Sequence, residues 1–174
     1  MPKIFLAADL HFGHKNIIEY ENRPFVDIKD MDEALIRNWN NKVNKNDKIF
    51  VAGDFSFYDK EETANIVRQL NGHKILIKGN HDNHSNQFYL DVGFAEVSKY
   101  PIIYNDWFVI QHEPPHYYND RTPLFYIYGH VHGCEMYPTI AKQSACVSIE
   151  RWEYAPVDLN TIIDMASGSS DIKQ

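Results

Sequence analysis

Cysteine is scarce: the 174 residues hold two, Cys134 and Cys146, with no metal-like spacing, so they read as unpaired reduced thiols rather than a disulfide framework. Long apolar runs are missing as well. No stretch approaches the ~18 to 20 residues a membrane span needs, and Met1-Pro2-Lys3 leads straight into a strand-like run with no signal-type apolar region, which sets the expectation of a cytoplasmic protein. Clustered Lys and Arg are lacking too, and the net charge is −7. A protein that grips long duplex nucleic acid neutralises phosphates with a basic face. The balance here disfavours long polyanions and leaves small phosphate esters open. There is no internal repeat and no low-complexity segment. What is present suffices for one domain, with 44% hydrophobic and 14% aromatic residues. Residues 1–165 are assigned to it, and 166–174 to a frayed tail.

Five apolar, strand-like runs end in Asp, His or Asn. Ile4 to Ala7 leads to Asp9-Leu10-His11, and Ile49 to Ala52 to Gly53-Asp54. Ile75 to Ile77 leads to Gly79-Asn80-His81-Asp82, Trp107 to Ile110 to His112, and Leu124 to Tyr128 to Gly129-His130-Val131-His132. In open α/β sheets ligands collect at the carboxyl ends of strands. Asp9 and His11 are two apart, so persisting strand geometry would aim them the same way, and His130 and His132 repeat the spacing. Each cluster alone could be a turn or a helix cap. Together they offer carboxylate, imidazole and amide donors without a thiolate, a set suited to Mn, Fe, Zn or Ni.

Between these runs lie helical patterns. Asp30-Met31-Asp32-Glu33 has the form of a capping box, and Met31, Leu35, Trp39 and Val43 make one apolar stripe. Glu61 to Leu70 is the next helix, with Ala64, Val67 and Leu70 inward, and Ser85 to Leu90 a shorter one. Strand-helix alternation predicts parallel pairing in the first half. In the second half, Val97 to Tyr104 and Trp107 to Ile110 flank Asn105-Asp106, a hairpin signal without glycine. Ala145 to Ile149 reads as a further strand, and Asp158 to Met165 as a terminal helix.

The ordered motifs D-x-H, G-D, G-N-H-[DE], a late His and G-H-x-H resemble the calcineurin-like metallophosphoesterase superfamily and span almost the whole chain. That resemblance implies an α/β fold of two mixed β-sheets packed as a sandwich and flanked by helices. It also implies a two-metal site, manganese first, with iron, zinc and nickel also accepted. Asp9, His11 and His132 would hold one ion and Asn80, His112 and His130 the other, with Asp54 bridging. The fifth motif departs from the family's Gly-His pair, since the chain has Gln111-His112-Glu113-Pro114, and His116 is the rival ligand.

The implied chemistry is phosphoester hydrolysis by in-line attack of a metal-bridging hydroxide, with His81 as general acid. Asp82 would orient that imidazole or cap a helix. His14 and Asn80 are candidates to meet substrate, and His116-Tyr117-Tyr118 forms either a pocket wall or loop packing. No Arg follows Gly53-Asp54 and Asp82 closes its motif, which favours a small phosphodiesterase-like branch acting on a small nucleotide or related metabolite. The competing reading is a non-catalytic metal-binding scaffold or protein-interaction module of the same fold.

Overall fold

Why the strand runs are apolar throughout is explained by where they sit. The computed structural model describes residues 2–116 and 121–168. Strands β1 (Ile4–Ala7), β2 (Lys48–Val51), β3 (His73–Ile77) and β4 (Glu96–Ser98) pair in parallel, in the order β1-β2-β3-β4. A two-residue strand, β10 (Val157–Asp158), lies antiparallel on the outside of β1. The second sheet holds β5 (Ile102–Tyr104), β6 (Phe108–Ile110), β7 (Phe125–Tyr128), β8 (Ile140–Ala141) and β9 (Ser144–Cys146), ordered β5-β6-β7-β9-β8. Its three central strands are parallel and its two edge pairings antiparallel.

Alternate residues of the first sheet serve two cores. Phe5, Ala7, Ile49, Val51 and Leu76 pack toward the helices, against Met31, Leu35 and Trp39. Leu6, Ala8, Phe50, Ala52, Ile75 and Ile77 pack toward the second sheet, against Phe108, Ile110, Phe125, Ile127 and Ala145. Strands buried on both faces show no polar alternation. The fold is thus two mixed five-stranded sheets packed face to face and flanked by helices.

The outer helices follow the apolar stripes. Helix α2 (Ile28–Lys42) turns Met31, Leu35 and Trp39 inward, with Val43 buried at its end. Its cap is Asp27, whose side chain accepts from Asp30 N–H, so it begins earlier than the Asp30 capping box predicts. Asp30 itself lies in the first turn, where a carboxylate suits the positive end of the helix dipole. Helix α3 (Lys60–Gln69) is capped by Asp59 and α4 (Asn86–Val92) by Ser85. A one-turn helix, α1 (Ile17–Tyr20), follows the first motif. The terminal helix α5 (Leu159–Ala166) buries Leu159 and Ile162 in the core between the sheets.

The expected run Val97 to Tyr104 divides between the sheets. β4 completes the first sheet and β5 starts the second, with Pro101, which has no N–H to give a ladder, between them. The hairpin at Asn105-Asp106 is present, and both residues take positive φ, 51° and 55°. Two successive positive φ values make a primed turn, closed by Trp107 N–H to Tyr104 O at 3.3 Å, and Asn and Asp tolerate it in place of glycine. Trp107 is one extra residue before Tyr104 pairs with Phe108. Ala145 to Ile149 leaves the strand after Cys146 and enters a short 3-10 turn, Ile149–Trp152. No helix among the described residues is long and apolar enough to cross a membrane.

Candidate metal centre

The carboxyl ends of β1, β2, β3, β6 and β7 meet at one edge of the sandwich, where backbone hydrogen bonds draw the loops together. Asp9 N–H donates to Gly53 O, His11 N–H to Asp54 O and Phe12 N–H to Phe55 O, each at 3.0 Å. Gly129 N–H donates to His112 O at 2.9 Å. Strand geometry does not persist through Asp9 and His11, contrary to the alternation their spacing predicts. Both residues are left-handed, with φ of 58° and 54°, and so are Asp54 (55°), His130 (72°) and His132 (46°). Such conformations cost an L-residue roughly 1 to 2 kcal/mol each, and non-glycine examples cluster at functional sites.

Two glycines let the second and third loops touch. A Cβ on Gly53 would stand 2.7 Å from Gly79 Cα, and one on Gly79 would overlap Asp54 Oδ1. Asp82 then ties the loops. Its Oδ2 accepts from Asp54 N–H and Gly79 N–H, both at 2.8 Å, and its Oδ1 accepts from Phe55 N–H at 3.2 Å and Tyr89 O–H at 3.4 Å. Asp82 therefore neither orients His81 nor caps α4, whose cap is Ser85. It is a buried latch.

Every residue proposed from the motifs reaches this edge. Asn80 Oδ1, His112 Nε2 and His130 Nδ1 form a triangle with sides of 2.8, 3.0 and 3.2 Å. Two ligands held ~2.0 to 2.1 Å from one ion stand roughly 3 to 3.4 Å apart, so the triangle has the size of a coordination face. His112 Nδ1 lies 2.8 Å from Ala52 O, which fixes the proton there and leaves the Nε2 lone pair facing the triangle. His116 is exposed. On the other side, Asp9, His11 and His132 bring donor atoms within 4.8 Å of one another, as do Asp9, Asp54 and His112. Asp54 Oδ2 lies between the groups, 3.6 Å from His11 Nε2 and 3.5 Å from His112 Nε2. Its Oδ1 accepts from His81 N–H at 2.9 Å.

The charges are arranged for cations. Burial pushes the Asp9 carboxyl from its ordinary 3.8 up to about 6, with His132 and His112 acting the other way. Burial holds His11 well below the usual imidazole range, and His132 and Arg23 add to the effect. Burial likewise lowers His14 and His130. His11 Nε2 is buried and has no hydrogen-bond partner among the described residues. An unsatisfied buried nitrogen beside a carboxylate suits a ligand atom, and the buried Asp and His groups can hold metal ions.

Around these donors stand residues the motifs did not indicate. His132 Nδ1 donates to Glu150 Oε1 at 2.9 Å, and the same oxygen accepts from Arg23 Nε at 3.0 Å and Nη2 at 2.6 Å. Glu150 follows the run Ala145 to Ile149, so the strand-end rule that found the other acids would have found it. Arg23 had no such signal. Glu21 also approaches His132 and Glu150, but Arg23 already supplies the positive charge on that side.

His14 Nδ1 lies 3.1 Å from His11 Nδ1, one nitrogen donating, and its ring stacks on Phe57 at 4.0 Å. That leaves only His14 Nε2 to meet a substrate. His81 is exposed, with its ring centroid 5.2 Å from Phe57 and 5.6 Å from His11. A cleft of about 370 Å³ opens beside Asn80 and His112, lined also by Lys78, Lys99, Tyr100 and Gln111. Tyr117 and Tyr118 of the suggested pocket wall lie outside the described residues.

No protein-family model matches the chain. The uncharacterized protein MJ1445 of Methanocaldococcus jannaschii is 35% identical over 172 residues, covering 95% of this chain and 92% of that protein. Among solved structures, the protein of unknown function AQ665 from Aquifex aeolicus superposes with a TM-score of 0.69 at 24% identity, over 95% of this chain and 100% of its own. The nuclease MPE of Pseudomonas putida gives a TM-score of 0.50 at 20% identity, over 74% of this chain and 61% of its own. At these identities the two structures establish a shared fold.

Proposed function

The chain belongs to the same family as the archaeal protein MJ1445, and from its centre we propose a two-metal phosphohydrolase of the small phosphodiesterase-like branch. The carrying observation is the place of Asp54 Oδ2, about equally far from His11 Nε2 and His112 Nε2, at 3.6 and 3.5 Å. A carboxylate there is shared by two donor sets, Asp9-His11-His132 and Asn80-His112-His130. Two divalent cations bound to these sets, manganese first among them, would polarise a phosphoryl oxygen and bring the pKa of a coordinated water from 15.7 to about 7.

The chain's own groups do the rest. The left-handed loops hold the donors without rearrangement, so little ordering is left for the moment of reaction. His81 stands exposed at the rim, its backbone anchored to Asp54 Oδ1, where its ring N–H gives a proton to the departing ester oxygen as the P–O bond breaks. Such general acid catalysis typically contributes ~10² to 10⁴ in rate. His14 Nε2 and the Asn80 side-chain N–H face incoming phosphate oxygens. The cleft sets Lys78 and Lys99 against Glu113, and this net positive lining favours a small anionic ester.

The test joins metal analysis to hydrolysis of bis-p-nitrophenyl phosphate and p-nitrophenyl phosphate, in Mn²⁺ and in chelator, for the parent and His81→Ala. Support is two metals per chain, chelator-sensitive cleavage favouring the diester, and a loss of 10²-fold or more in kcat for His81→Ala. Neither bound metal nor turnover after Mn²⁺ reconstitution would refute the enzyme and favour the scaffold reading. The likeness to a nuclease adds one arm, a single-stranded oligonucleotide, and its cleavage in preference to the small diester would move the substrate class.

A further inference from the structure

Resting on the two-metal reading, we infer that Glu150, held by the buried Arg23, is a positioning residue that sets the hold of the Asp9-His11-His132 donor set on its ion. The Arg23 side chain is fully buried and that of Glu150 is 7% exposed, so the pair is desolvated and its geometry is fixed. Arg23 spends its donors in two directions. Nε and Nη2 bind Glu150 Oε1, while Nη2 also reaches Asp9 O at 2.7 Å and Nη1 reaches Leu10 O at 3.0 Å. One guanidinium thus clamps the left-handed Asp9-Leu10-His11 backbone and the carboxylate that receives His132 Nδ1–H.

The consequence for His132 is a fixed tautomer. With Nδ1 donating to Glu150 Oε1, the lone pair is on Nε2, which is the nitrogen left for the donor group His132 shares with Asp9 and His11. A carboxylate behind a ligating imidazole orients the ring and raises its basicity, and losing such a partner typically costs 10- to 100-fold in metal affinity. The opposite donor set is backed differently. His112 Nδ1 is held by a backbone carbonyl, Ala52 O, which no side-chain substitution at Glu150 touches. The effect of Glu150 should therefore fall on one ion of the two.

The experiment is Mn²⁺ titration by calorimetry on the full chain after chelation, with electron paramagnetic resonance at each addition, for the parent, Glu150→Gln and Arg23→Lys. The expected result for Glu150→Gln is a 10- to 100-fold weaker affinity for one Mn²⁺ and an unchanged second. At two equivalents its spectrum should show isolated Mn²⁺ where the parent shows a spin-coupled pair. Arg23→Lys keeps the charge but loses the fork, and should weaken the same ion severalfold. It serves as the test if Glu150→Gln fails to fold. Equal weakening of both ions would mark a general structural role and overturn the inference, as would unchanged affinities in both variants. A parent that binds no Mn²⁺ would instead overturn the two-metal reading itself.

Discussion

Replacing Asp82 with Asn tests whether the latch or the imidazole is its business. The carboxylate accepts four hydrogen bonds, from Asp54, Phe55 and Gly79 N–H and from Tyr89 O–H. Asn keeps one acceptor oxygen. If that oxygen takes the Oδ2 position, the amide NH₂ confronts Phe55 N–H, and the tyrosine hydroxyl turns to accept. One buried N–H is then orphaned, at ~1 to 3 kcal/mol, and the two retained bonds lose their charge assistance, at about 1 kcal/mol each. Against this, Asn removes the charge that burial penalises, the main cause of the raised Asp82 pKa. The net loss comes to about 2 to 4 kcal/mol, a large share of the ~5 to 15 kcal/mol that stabilises a domain.

Urea unfolding in chelator measures that loss, and kcat/KM for the diester with Mn²⁺ measures displacement of the Gly79-Asn80 loop, where an error near 1 Å costs ~10²-fold. Stability and activity should fall together in Asp82→Asn. A loss below about 1 kcal/mol with activity abolished would refute the latch and restore the idea that Asp82 acts through His81.

Three further outcomes are expected. The Asp9 carboxyl, raised from 3.8 to about 6, carries a penalty that is absent below about pH 4 and builds as pH rises to about 6. Metal-free Asp9→Asn should therefore be more stable than the metal-free parent at pH 7, by up to ~3 kcal/mol at 1.36 kcal/mol per pH unit. Mn²⁺ should reverse the order, and equal pH profiles of the denaturation midpoint would contradict it. Gly79→Ala puts a Cβ onto Asp54 Oδ1 and 2.8 Å from His112 Cε1, so kcat/KM should drop 10²-fold or more. Trp39→Ala removes a side chain with no exposed surface and its 2.9 Å bond to Asn71 O, and should cost about 3 to 5 kcal/mol in chemical denaturation with the Mn²⁺ stoichiometry kept.

What could be read in advance follows from what each signal measures. Runs such as Ile49 to Ala52 are apolar because both faces are covered, and the stripe Met31-Leu35-Trp39-Val43 is spaced for one helix face, so strands and helices were legible. The motif residues were legible as identities, since Asp, His and Asn at strand ends have few structural reasons to recur together. The division of Val97 to Tyr104 between two sheets was not, because β-propensity does not say which sheet a strand joins. Arg23 was hidden for a related reason. Its partners Asp9 O and Leu10 O are main-chain groups, and Glu150 lies 127 positions away.

The least legible feature is the one that builds the centre. Two residues of one spacing, Asp9-His11 and His130-His132, were expected to share a side through strand alternation. They converge instead through left-handed backbone at all four positions. For four such residues and Asp54, strain of roughly 1 to 2 kcal/mol apiece must be met by other terms. The bonds that join the loops supply them: Asp9 and His11 N–H to Gly53 O and Asp54 O, His130 N–H to the Asp9 carboxylate, and the Asp82 latch. Each bond couples two loops, so the donors of one set are not independent of the other. A substitution that frees one loop should thus degrade both donor sets, whereas Glu150, acting through a single imidazole, should degrade one. That contrast between Gly79→Ala and Glu150→Gln separates the scaffold of the proposed centre from the orientation of one of its candidate donors.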